Sequence, residues 1–150
     1  IGVRLVGSEM CIRDRNKYDY NVGWKINPGA PTTGLDGAKT LTIAHMLTQV
    51  CSGDPAGAGV AWTLDTPALC VAGVPGAKVG DCIDFYVVNL GTADAAEDIT
   101  VTMPSGGTAV GLMLVHNTIT AEENTSSGHF RLRFTNVTSG SETFSCYRLA

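Results

Sequence analysis

The chain has 150 residues, a formal net charge of −4 and only 16% charged residues. That length supports one core of moderate size, and the acidic balance argues against a protein that tracks nucleic-acid phosphates, which needs a basic face. A charged fraction below the roughly 25% of an average domain, combined with abundant Gly and Thr, points to an all-β protein rich in turns rather than a helical enzyme. No apolar run approaches the roughly 18 residues of a membrane-crossing helix.

Leu5 to Arg15 reads LVGSEMCIRDR, which resembles one reading frame of a transposase adaptor used in sequencing libraries. The chain also opens on Ile1, as a translated fragment would, so residues 1–15 are set aside from fold reasoning as one would a scar. The alternative is a short amphipathic strand. Setting Cys11 aside leaves Cys51, Cys70, Cys82 and Cys146. An even set fits disulfides formed in an oxidising compartment, with three possible pairings. The alternative is four free thiols buried as small hydrophobes.

Residues 16–40 read as an extended arm followed by a linker. Tyr18, Tyr20, Val22, Trp24 and Ile26 alternate with Asp19, Asn21, Gly23 and Lys25 at the two-residue period of a strand. Pro28-Gly29, Pro31, Gly34 and Gly37 then break the pattern. The apolar face of the arm needs a partner, either its own domain or a neighbouring subunit.

The body is expected over residues 41–150. Leu41 to Val50 is ambiguous between a short helix, with Thr42 as its cap, and a strand. Trp62 to Leu64 is a short strand. Thr66-Pro67 reads as the cap and first residue of a helix to about Ala72, because Pro lacks a donor that would be unsatisfied there anyway. Ile83, Phe85 and Val87 alternate with polar or outward positions, as do Ile99, Val101 and Met103, and Phe130, Leu132 and Phe134. Leu112 to Val115 is continuously apolar and reads as buried on both faces. Thr143 to Leu149 is a closing strand. Short strands separated by turns predict an antiparallel, jelly-roll-like β-sandwich with one or two short helices.

Particular blocks carry a family likeness: Val79-Gly80-Asp81 before the strand Ile83 to Asn89, Ala93 to Val101 (ADAAEDITV), Gly106-Gly107-Thr108, Arg131 to Glu142 (RLRFTNVTSGSE) and Tyr147. Together they resemble the β-sandwich domains of virion-surface or fibre-like proteins from large DNA viruses of marine algae and from marine metagenomes. The likeness covers about two-thirds of the chain and rests on turns and strand ends. It implies a structural role and no catalytic group. The four cysteines and the lack of a collagen-like repeat depart from the pattern.

Chemical motifs are sparse. His45, His116 and His129 lie in or beside regular elements, and no G-x-S-x-G elbow accompanies them. Gly53 to Gly59 is Gly-rich but lacks a P-loop Lys. Asp81, Asp84, Asp94, Glu97 and Asp98 are acidic neighbours without the spacing of a calcium loop. Asn124 and Asn136 each begin an N-glycosylation triplet; in the turn at Asn136, a side-chain turn hydrogen bond is the competing role. Arg131 and Arg133 share a strand face with His129, as an anion or carboxylate-sugar contact or as partners of acids on the next strand. The expectation is a non-enzymatic structural protein without cofactor or metal, at a virion surface or extracellular. It would self-assemble into a trimer or an open filament, with the arm linking subunits. The alternative is a module binding surface glycans through exposed aromatics such as Trp24 or Trp62. Nucleic acid is not an expected partner.

Overall fold

The computed structural model describes residues 29–92, 96–117 and 126–150. In chain order the elements are β1 (Lys39–Leu41), α1 (Ile43–Leu47), β2 (Val50–Gly53), β3 (Val60–Leu64), α2 (Pro67–Ala72), β4 (Cys82–Asn89), β5 (Ile99–Thr102), β6 (Gly107–Val110), β7 (Leu114–Val115), β8 (Ser127–Asn136) and β9 (Thr143–Arg148). The described residues are mostly β, with two sheets and two short helices. The sheets have orders β1-β3-β5-β7 and β2-β4-β8-β9-β6.

The two helices begin as their caps dictate. Thr42 is extended, and its hydroxyl accepts from the His45 amide while His45 Nδ1 accepts from the Thr42 amide. This reciprocal pair satisfies two amides of the first turn, and it resolves the ambiguous segment 41–50 into strand end, helix and a new strand. Thr66 caps α2 through the Leu69 amide, with Pro67 at the first turn. Met46 is the buried residue of α1, and Pro67 and Cys70 are those of α2.

Strand positions follow the alternation. In β4, Phe85 and Val87 are fully buried and Ile83 nearly so. In β8, Phe130, Leu132 and Phe134 are fully buried while Arg131, Arg133 and Thr135 are exposed. Both sheets contribute to one core: Leu41, Trp62, Leu64, Ile99, Val101 and Val115 from the smaller, and Cys51, Phe85, Val87, Phe130, Leu132, Phe134, Phe144 and Cys146 from the larger. Phe85 and Phe130 face each other in a cross-strand pair, ring centroids 5.6 Å apart. Such a pair adds about 1 kcal/mol beyond its burial.

Strand pairing differs from the expected antiparallel arrangement. β1–β3, β3–β5, β2–β4 and β6–β9 are parallel, while β4–β8, β5–β7 and β8–β9 are antiparallel. The cause is the route of the chain. From β1 to β8 successive strands lie in alternate sheets. A strand therefore meets its neighbour only after the chain has crossed the core and returned, which favours the same direction. Among the described strands, only β8 and β9, consecutive and in one sheet, form a hairpin.

Two further expectations are corrected. Leu112 to Val115 is not buried on both faces: Leu112 is 71% exposed, whereas Met113 and Val115 are buried. Residues 32–40 are not a free linker. Thr32 bridges Cys51 in parallel, and the Leu35 and Gly37 amides donate to Ser52 and Asp54, so this stretch runs along the outer side of β2. Lys39 and Thr40 already belong to β1. The alternating positions Tyr18, Tyr20, Val22, Trp24 and Ile26, and residues 1–15, lie outside the described residues.

Candidate functional site

The five-stranded sheet offers two features that the core does not use: an open edge at β6 and a polar, aromatic outer face.

The edge follows from strand order. On the far side of the sheet, β2 is covered by residues 32–37. Strand β6, Gly107-Thr108-Ala109-Val110, pairs only with β9 and has no described strand on its other side. The Phe144 amide donates to the Gly106 carbonyl. The parallel ladder then turns the Thr108 amide and carbonyl toward β9 and those of Ala109 outward. Thr108, Ala109 and Val110 are exposed, and the strand holds neither charge nor proline, the usual guards against edge pairing. Exposed Val110 and Leu112 follow one another along this border, and exposed Leu149 directly follows β9. The edges of the smaller sheet are shorter: β1 has three residues and begins with Lys39, and β7 has two.

The face is built from the outward residues of β4, β8 and β9. Register places Tyr86 opposite His129, Asp84 opposite Arg131, Cys82 opposite Arg133, and Tyr147 beyond Arg131. The Tyr86 and His129 rings stack at 4.4 Å with 10° between planes. Arg131 grips Asp84 with two parallel bonds, Nε to Oδ1 at 2.7 Å and Nη2 to Oδ2 at 2.6 Å. Hydrogen bonding by that guanidinium holds the Asp84 carboxyl below its ordinary range, against an opposing push from burial, and raises Arg131 in return. His129 Nε2 is shut off from water, makes no hydrogen bond, and lies 3.7 Å from Asp84 Oδ2. The strand pairing of acids with Arg131 thus accounts for one arginine; Arg133 forms no ion pair with a described residue.

The remaining candidates are dispersed or structural. Cys51, Cys70, Cys82 and Cys146 are free thiols. Cys51 and Cys70 donate to the carbonyls of His45 and Asp65, and Cys82 to that of Gly80. Burial pushes the Cys51, Cys70 and Cys146 thiols up to about 12, with the Asp65 charge adding to the effect at Cys70. Cys82 sits on the outer face, whereas Cys146, two strands away, points into the core, so neighbouring β positions do not bring these two together. Trp62, expected as an exposed binding aromatic, is fully buried, and its indole donates to the Gly37 carbonyl at 2.9 Å.

The acidic residues do not gather. Asp81 caps the Lys78 amide, Asp98 pairs with His116 at 3.2 Å, and Glu97 is buried with its carboxylate accepting from the Gly57 amide. Asp94 lies outside the described residues, and no metal-holding cluster occurs among the described ones. Asn136 accepts from the Thr138 amide at 2.9 Å, the turn bond expected there; Asn124 lies outside the described residues. No described helix is long and apolar enough to cross a membrane.

Sequence reasoning missed Arg148. Its guanidinium lies 5.1 Å from the Phe130 ring centroid, and it donates to Leu114 of the other sheet at 2.7 Å and to Ser127. The reading of Thr143 to Leu149 as a closing strand singled out no role for it; only the cross-sheet geometry reveals a bridge. Compared with protein-family models, with curated proteins and with solved structures, the chain matches none.

Proposed function

We propose that this chain is a non-enzymatic structural domain, folded as a jelly-roll-like sandwich, that self-assembles by lending its arm to the β6 edge of a neighbouring copy. The observation that carries the reading is the uncovered, uncharged edge Gly107–Val110, with Ala109 backbone groups turned outward. An extended segment added there gains main-chain hydrogen bonds, and its alternate side chains supply specificity. The segment 18–26 has the required two-residue alternation.

Topology favours exchange between subunits. The described chain begins beside β2, at the edge opposite β6. Four strand intervals of about 4.8 Å separate the two borders, roughly 19 Å. Donor and acceptor on opposite borders make a head-to-tail contact, which closes into a ring such as a trimer or continues as a filament. A component of a virion surface, viral fibre or extracellular filament uses such geometry, in line with the family likeness of the strand and turn blocks.

Sedimentation of the full chain, of Ala109→Lys and of a variant lacking residues 16–30 tests this. The full chain is expected as an oligomer and both variants as folded monomers by circular dichroism. A monomeric full chain, or an oligomer that survives both changes, overturns the proposal.

A further inference from the structure

We infer that the outer face of the five-stranded sheet binds an acidic glycan, with Tyr86 as the ring platform, the Asp84–Arg131 pair as the reader of sugar hydroxyls and Arg133 as the contact for the carboxylate or sulfate.

The three positions form a straight strip. Tyr86/His129, Asp84/Arg131 and Cys82/Arg133 are successive cross-strand rows on one face. Rows two residues apart lie about 6.7 Å from each other, so the strip runs roughly 13 Å, the reach of a short oligosaccharide. Tyr86 is 43% exposed although it is an aromatic on an open sheet. One side of its ring is held by His129 at 4.4 Å, which fixes its orientation and leaves an apolar surface with a hydroxyl at its tip, suited to the mixed apolar and polar faces of a sugar ring.

Beside this platform stands a planar donor–acceptor unit. Asp84 and Arg131 are locked by two bonds, yet a carboxylate offers about four acceptor sites and a guanidinium five donors. Adjacent sugar hydroxyls, each both donor and acceptor, match that unspent capacity. The unit is also held in place before any ligand arrives, which lowers the entropy lost on binding.

Charge selects the acidic class. The Asp84 and Arg131 charges offset each other, and Arg133 has no described counter-ion. The face therefore carries a net positive charge within an acidic chain. An arginine fork is the side chain best shaped for planar recognition of carboxylate or sulfate oxygens. His129 Nε2, closed to water, lies 3.7 Å from Asp84 Oδ2 and packs behind the pair.

The full chain is applied to an array of sialylated, uronic-acid, sulfated and neutral oligosaccharides, and the strongest acidic binder is then titrated in solution. The expected result is binding restricted to acidic members, weakened at least tenfold by Arg133→Ala and by Tyr86→Ala, with Arg133→Lys intermediate and all three variants retaining the native circular dichroism. Binding to neutral members alone, no binding at all, or retention of affinity in both alanine variants overturns the inference. Displacement by inorganic sulfate at the same concentration as the glycan also overturns it, since the site would then recognise a bare anion. None of these readouts depends on the arm, and Ala109→Lys is expected to keep the glycan contact within each monomer.

Discussion

The carbonyl of Leu35 lies directly over the α-carbon of Gly53, closer than any side-chain carbon on that residue would permit. Gly53 ends β2, and Leu35 belongs to the stretch that runs along its outer side. The absence of a side chain at one position thus lets residues 32–37 close this border of the sheet. Gly53→Ala is expected to lift that stretch away, lowering stability by about 1–3 kcal/mol through lost hydrogen bonds and packing. Denaturant unfolding measures the loss. The Ser52 amide, which donates to Thr32, should exchange faster in the variant; an unchanged midpoint with unchanged Ser52 exchange contradicts this account of the border.

Asn89 joins the two sheets from inside. Its amide nitrogen donates to the carbonyls of Glu97 and Val115, and its oxygen accepts from the Gly91 amide. The side chain is fully buried, so its removal strands backbone groups away from water. Asn89→Ala is expected to cost about 2–4 kcal/mol, from several unsatisfied groups of about 1–3 kcal/mol each with partial relaxation. Asn89→Asp should also destabilise, because it replaces the donor facing two carbonyls with an acceptor. A thermal midpoint within a degree of the parent for either variant would refute the bridge.

Much of this architecture was legible in the sequence. The alternation of Ile83, Phe85 and Val87 against Asp84 and Tyr86 located β4 and its buried face, and Thr66-Pro67 located the start of α2. Pairing was not legible, because alternation reports which side of a strand is wet and says nothing about which strand lies beside it. The usual expectation that consecutive strands pair fails here, since the chain changes sheet at nearly every step. The outer-face cluster was half legible. Arg131, Arg133 and His129 were placed on one face by parity, whereas Asp84 and Tyr86 joined them only through the β4–β8 register. Trp62 was misplaced for a related reason: its indole nitrogen finds Gly37, a partner remote in sequence, and this permits full burial.

The cysteines should divide by location. Burial holds Cys51, Cys70 and Cys146 as neutral thiols with values raised to about 12, while Cys82 is exposed. The thiolate is the reactive form, so a maleimide at pH 7 is expected to label Cys82 rapidly and these three only after unfolding. A value raised in the fold gives stability that is complete below the unfolded value near 9 and declines as pH rises from there to about 12. Stability should therefore fall steeply above pH 9. Replacing the three buried thiols with Ala or Val should flatten that limb; rapid labelling of Cys146 in the native state would contradict their burial.

The Asp84–Arg131 pair should matter little to folding. Asp84 is depressed in the fold, so its contribution is present above the unfolded value near 3.8 and disappears as pH falls through the lower folded value. Both side chains are more than a third exposed, and screening keeps such pairs at about 1 kcal/mol or less. Asp84→Asn is expected to lower stability at pH 7 by no more than that and to leave stability unchanged once pH has fallen below the depressed folded-state value. A loss of several kcal/mol at pH 7 would show that the pair holds the sheet together and is not a surface device.

The central claim is that the outward backbone of β6 is covered by another subunit's arm, and the Ala109 amide reports on it directly. Its hydrogen exchange is followed in the full chain over a range of protein concentrations and in the variant lacking residues 16–30. The expected result is slow exchange that strengthens with concentration in the full chain and fast exchange in the shortened one. Fast exchange of Ala109 at every concentration, in an otherwise protected β8–β9 hairpin, would contradict the account.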